Sequence, residues 1–148
     1  MTFDTARVVE HVHGPLGWVA AAVLAHPAFL LWRGRPRVHL SVTFAVVVPT
    51  LAGALGMWVY GPYRDRIKQS IFIDARWIGL LFERKEHLAF GAILLGWAGA
   101  AAYALSVSAP EPSRASLRTL ALRAFLAASV LALAVAVLGN VVASFRTF

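Results

Sequence analysis

Five histidines, His11, His13, His26, His39 and His87, are the side chains of this chain best suited to chemistry, and each stands at the border of an apolar run or just inside one. A neutral imidazole gives one ring nitrogen to a metal while a hydrogen bond steers the other. Within hydrocarbon it is costly unless partnered, so several at matching depths point to a ligand gripped between helices. The chain has no cysteine, which removes disulfides, thiolate ligands, iron–sulfur clusters and covalent haem attachment. Any bound metal must take nitrogen or oxygen.

Two of these positions also carry a carboxylate, in Glu10-His11-x-His13 and Glu86-His87. Imidazole with carboxylate ligates zinc, iron or copper, so a His/Glu metal site at the membrane interface is one expectation. The plainer alternative is that both glutamates are solvated beside Arg7, Arg84 and Lys85. No His-Glu-x-x-His sequence, serine nucleophile elbow or phosphate-cradling loop occurs, so no catalytic residue is assigned. The polar midplane features a carrier would need reduce to Pro49, Thr50 and Asn140.

The elements that must position the histidines follow from composition. Of 148 residues, 59% are hydrophobic and 14% charged, and the mean hydropathy is +0.70; soluble domains hold about 45–50% apolar and about 25% charged residues. A hydrocarbon core about 30 Å thick takes about 20 apolar residues per helical span. The alternating ten-residue pattern of a membrane β-barrel is absent. Four runs meet the helical requirement, at 8–32, 39–60, 87–107 and 117–142. The first reaches upstream towards a cap at Asp4 and holds His26; with no cleavage pattern before it, it is expected to stay in the mature protein. The second has no Lys, Arg, Asp or Glu and carries Pro49 at its middle. The fourth begins with Arg118 and Arg123, near enough to the interface to snorkel. The expected fold is all-α: a single integral membrane domain, 1–148, built as a four-helix bundle.

Connections sort the chain into two ends. The basic turn Arg33-Gly34-Arg35-Pro36-Arg37 and the Pro/Ser loop over 106–116 share one end, B. Both termini and the segment 61–86 share the other, A. Within that segment Ile67, Ile71, Ala75, Ile78 and Phe82 recur at helical spacing against Arg64, Lys68, Asp74 and Arg84, which predicts an amphipathic interfacial helix over about 64–84. End A holds eight Lys or Arg and end B six, so the positive-inside rule does not choose an orientation. The formal net charge of +7 borders the spans and suits anionic headgroups, not nucleic acid. The localisation this implies is multi-pass in a bilayer, by expectation a bacterial inner membrane, with partner subunits beside it. Ala124, Ala128, Ala132 and Ala136 on the fourth span and Ala92, Gly96 and Ala100 on the third form small-residue stripes that are expected to face each other. Most aromatics lie near span ends, as in an interfacial belt, but Trp97 is too deep for that.

By depth the histidines form two groups. His11 and His13 enter from end A, as does His87, while His26 lies about 9 Å inside the first helix at end B, across the basic turn from His39. His26 with His39, and His11 or His13 with His87, would each make a bis-imidazole cage for a non-covalent b-type haem. The layout resembles the multi-histidine four-helix membrane cytochromes b, over helices one to three and in architecture only. That family carries two histidines fourteen apart on one helix; here His13 and His26 are thirteen apart and His11 and His26 fifteen, so only His11 projects near the direction of His26. The resemblance implies haem b, with His13, His26, His39 and His87 as axial iron ligands and electron exchange with a quinone. Ala22-x-x-x-His26 also resembles the ligand helix of bacterial light-harvesting polypeptides, which implies a bacteriochlorophyll. The function expected is a small haem b cytochrome or cytochrome-like subunit of a respiratory or photosynthetic complex. The alternative is a cofactor-free accessory subunit of a larger membrane assembly.

Overall fold

The computed structural model describes residues 3–64 and 68–145, with backbone alone for 3–10, 62 and 63. Arg66, Ile67 and Arg146 lie outside the described residues, as do the side chains of Asp4, Arg7 and Glu10. No strand occurs among the described residues, and the helices run α1 (Phe3–Trp32), α2 (His39–Tyr63), α3 (Gln69–Asp74), α4 (Arg76–Ser108) and α5 (Ser113–Phe145). All but α3 contain stretches long and apolar enough to cross a membrane. They pack in cyclic order: α1 on α2, α2 on α4, α4 on α5 and α5 on α1, with the α2–α4 seam the loosest of the four.

The bundle is apolar inside and out, but the two sides differ in residue size. Leu24 and Phe125 are fully enclosed, and around them the core is largely alanine: Ala21, Ala28, Ala45, Ala92, Ala128 and Ala132. Larger apolar side chains such as Phe44, Leu51, Phe90, Leu94, Leu126 and Leu133 project outward. Small residues inside let helix backbones approach, which is how helices associate where no hydrophobic force separates protein from lipid. Gly99 shows the closeness: a Cβ there would lie 3.1–3.2 Å from three carbons of the Phe125 ring. Gly96 shows it on another side, since its missing Cβ would lie 3.5 Å from the Ala45 carbonyl. Pro49 lacks the N–H that would normally bond that carbonyl in α2, so the freed acceptor faces α4 at a residue without a side chain.

The two small-residue stripes are both packed inside, yet they do not simply face each other. Gly96 meets Leu24 of α1 and Ala45 of α2, and Ala136 of α5 meets Gly17 of α1. At Gly96 the α4 stripe therefore meets α2, its neighbour in the ring, and the Leu24 side chain reaching across from α1. α5 is further tied to α1 where the Ser129 hydroxyl donates to the Ala21 carbonyl at 3.1 Å.

The segment 64–84 is not one helix. Ala75 is non-helical, with φ −151° and ψ 73°, and the chain beyond it runs unbroken from Arg76 to Ser108. The helix that carries the third apolar run therefore begins eleven residues before His87, because Leu80 to Leu88 contains only good helix formers and weak breakers and no Pro or Gly. Of the expected amphipathic stripe, Ile71 and Ile78 are buried, and Ala75 and Phe82 pack with them against Tyr60 and Val142. That apolar face is covered by the bundle itself. Lys68 and Glu83 pair at 3.0 Å across the Ala75 break. At the opposite end Ala109 is extended, with φ −71° and ψ 143°, as required before Pro110.

Candidate functional site

The turn between α1 and α2 sets the geometry of end B. Gly34 takes φ 68°, a left-handed conformation that glycine adopts without a Cβ clash. The Arg118 guanidinium of α5 donates to the Pro36 carbonyl at 3.2 Å and to that of Arg35. The Val38 N–H donates to the Tyr103 hydroxyl of α4 at 3.0 Å, in a buried bond. These contacts hold the start of α2 against two helices distant in sequence, and they present His39 with its ring edge-on to Tyr103, centroids 5.3 Å apart.

Two residues on, Ser41 is buried and turns towards α1, where its hydroxyl lies 2.8 Å from His26 Nδ1. In the tautomer whose Nδ1–H donates to Ser41 Oγ, Nε2 carries the ring's remaining lone pair; in the other, the Ser41 hydroxyl donates and Nε2 holds the proton. His26 and His39 both line an open apolar groove between α1 and α2 of about 580 Å³, with Val23, Leu30 and Phe44 as walls and Arg37 at its edge. Ala22, one turn before His26, is exposed on the outward surface. Residues four apart share a helix face, so the surface beside the imidazole is low. The interior at this level is filled by Leu24 and Phe125; the open space lies on the outer side of the helices.

End A arranges its histidines otherwise. The His13 ring packs over Gly56, whose missing Cβ would lie 3.0 Å from the imidazole Cε1. Its Nδ1 is enclosed without a hydrogen-bond partner. His87 is exposed and gives Nδ1 to the Glu83 carbonyl of its own helix at 2.7 Å, and His11 is exposed at the α1 entrance. Of the two expected pairs, the structure brings His26 and His39 to one groove. Neither groove described at the bundle surface includes His11, His13 or His87. Among the described residues no three His, Asp or Glu converge as a metal-holding group; Glu10, one member of the expected His/Glu set, lies outside them.

A second apolar groove, about 550 Å³, runs along the loose α2–α4 seam and again includes His39. Trp97 lines it, and its indole N–H donates to Thr50 Oγ1 at 3.3 Å. Deep placement of Trp97 thus reflects a bridge between α2 and α4 as well as a groove wall. The contacts of the histidines not assigned from sequence are Ser41, Tyr103 and Gly56. Ser41 and Tyr103 carried a signal, being polar side chains inside otherwise apolar runs, where each needs a partner. Gly56 carried none, because only the fold shows what lies above it.

No family model, curated protein or solved structure matches this chain. Functional inference therefore rests on the geometry of the site itself.

Proposed function

We propose that this is a four-span membrane protein that binds a tetrapyrrole in the α1–α2 groove through His26, acting as a small haem b cytochrome or cytochrome-like subunit in electron transfer. The observation that carries the reading is the His26–Ser41 bond at 2.8 Å. An oriented imidazole whose other nitrogen stays available is the usual arrangement of a haem or metal ligand, and the partner that orients it raises its basicity. The groove's volume of about 580 Å³ lies within the ~300–1,000 Å³ range of small-molecule sites. Its walls are apolar, so a macrocycle would replace lipid there at little desolvation cost. When bound, a haem would supply one-electron chemistry, and His26 would hold its iron beside the apolar walls Val23, Leu30 and Phe44. His39 faces Tyr103, so a second imidazole ligand requires its ring to leave that contact.

The same donor and surface suit a bacteriochlorophyll, which takes one axial ligand, and the low surface at Ala22 supports room for a macrocycle. An absorption spectrum of protein purified from haem-replete and from pigment-producing cells separates the two. Reduced haem b gives sharp visible bands and bacteriochlorophyll far-red bands. His26→Ala is expected to remove the bands while far-UV circular dichroism stays helical, and unchanged pigment content in that variant refutes His26 as ligand.

The accessory-subunit reading draws on a different observation: His39 packs on Tyr103 and His87 bonds its own helix. Both therefore have structural partners without any cofactor. That reading predicts a colourless protein under every supply condition.

A further inference from the structure

We propose that the α2–α4 groove is a binding site for one anionic diacyl phospholipid, with an acyl chain laid along the seam and the phosphate held at the mouth by His39 and the arginines of the turn before it. This inference does not rest on the pigment reading, which uses the groove on the other side of α2.

Dimensions carry the first part of the argument. The groove runs from His39 to Val47 on α2 and from Val107 back to Trp97 on α4. At 1.5 Å per residue these stretches are about 12 and about 15 Å long. Half of a ~30 Å hydrocarbon core is about 15 Å, the depth one leaflet's acyl chains occupy. At its deep end the seam is closed by the Trp97–Thr50 bridge, so the channel is as long as one leaflet and stops at the midplane. Between mouth and bridge the walls are mostly valine and alanine, with Val42, Val46 and Ala104 among them, together with Thr43 and Tyr103.

Charge carries the second part. The turn 33–38 and the stretch 109–123 hold Arg33, Arg35, Arg37, Arg114, Arg118 and Arg123 against a single acid, Glu111. End B thus accounts for +5 of the formal +7 of the chain. Glu111 lies 4.0 Å from Arg114, and Arg118 is engaged with backbone carbonyls. Arg35 and Arg37, both exposed, precede the groove-lining His39 by four and two residues, and Arg37 also edges the neighbouring α1–α2 groove. A chain-length apolar slot opening under a cluster of cations is complementary to a lipid with a negative headgroup.

The test uses full-length protein in detergent, stripped of lipid and offered an equal mixture of phosphatidylglycerol and phosphatidylcholine, with bound lipids counted by native mass spectrometry. One phosphatidylglycerol per chain is expected to survive, preferred at least tenfold. Basic residues near an anionic surface contribute about fivefold each in affinity, so Arg35→Gln with Arg37→Gln should bring the two lipids to near parity. Ala104→Phe, an outward position in the slot, should remove the retained lipid, and Val107→Phe serves the same purpose if the first variant does not fold. Glycerol phosphate at equal concentration should not compete. Equal retention of both lipids by the unmodified protein, retention unaffected by filling the slot, or full competition by glycerol phosphate would each overturn the proposal.

Discussion

Ser41→Ala gives the sharpest separation between a ligand-holding imidazole and an ornamental one. The substitution deletes one oxygen from a buried site and leaves His26, the apolar groove walls and the helix propensity of α2 almost unchanged. Its structural cost is one interhelical hydrogen bond of 2.8 Å, and in membrane bundles such bonds contribute about 0.6 kcal/mol on average and at most about 1.7. Its ligand cost is larger if the pigment reading holds, because losing the partner that orients a metal-bound histidine lowers affinity by about 10–100-fold. That corresponds to about 1.4–2.8 kcal/mol. Two assays on the same protein therefore give different numbers: denaturant-driven unfolding in mixed micelles reads the first, and spectrophotometric haemin titration reads the second. A Ser41→Thr variant, which keeps the hydroxyl, should restore most of the affinity. Affinity unchanged within twofold in Ser41→Ala, alongside the expected small loss of stability, would show that the bond serves only helix packing, and the argument from an oriented Nε2 would fail.

Gly99→Ala is expected to destabilise the bundle by about 1–3 kcal/mol through overpacking, because the new Cβ would meet a fully enclosed Phe125 ring at 3.1–3.2 Å; combining it with Phe125→Leu should recover part of the loss in the same unfolding assay. Arg118→Gln removes two charge-assisted bonds to the α1–α2 turn and should cost about 1–3 kcal/mol, read as faster proteolysis or hydrogen exchange at 33–38. The Glu83 carboxylate bonded to Lys68 holds that ammonium above the ordinary lysine pKa of 10.5. A raised folded value means that the pair's contribution is complete below the unfolded pKa and is lost as pH climbs through the folded one, so stability should fall above about pH 10.5, and Lys68→Gln should flatten that part of the profile.

Both the legible and the illegible parts of this protein trace to particular residues. Four long apolar helices, the tight basic turn and the Pro-bearing loop were readable from 148 letters, because hydrocarbon thickness dictates span length and because Gly34 and Pro110 follow helix ends by local sterics. His26 likewise reads from the sequence as an imidazole inside an apolar run that needs a polar partner. Ala75 looked like one more residue in a helical stripe, and nothing in its type announces the break. The break lets Ile71 and Ile78 fold back onto Tyr60 and Val142. Which helix each small-residue stripe meets, that Ser41 is the partner of His26, and that His39 turns to Tyr103 depend on rotations about helix axes. Those rotations are settled by packing among residues tens of positions apart, such as Gly99 under Phe125 and Arg118 over the α1–α2 turn. Periodicity within one helix defines its faces but says nothing about which neighbour each face will meet, and only the assembled bundle supplies that information.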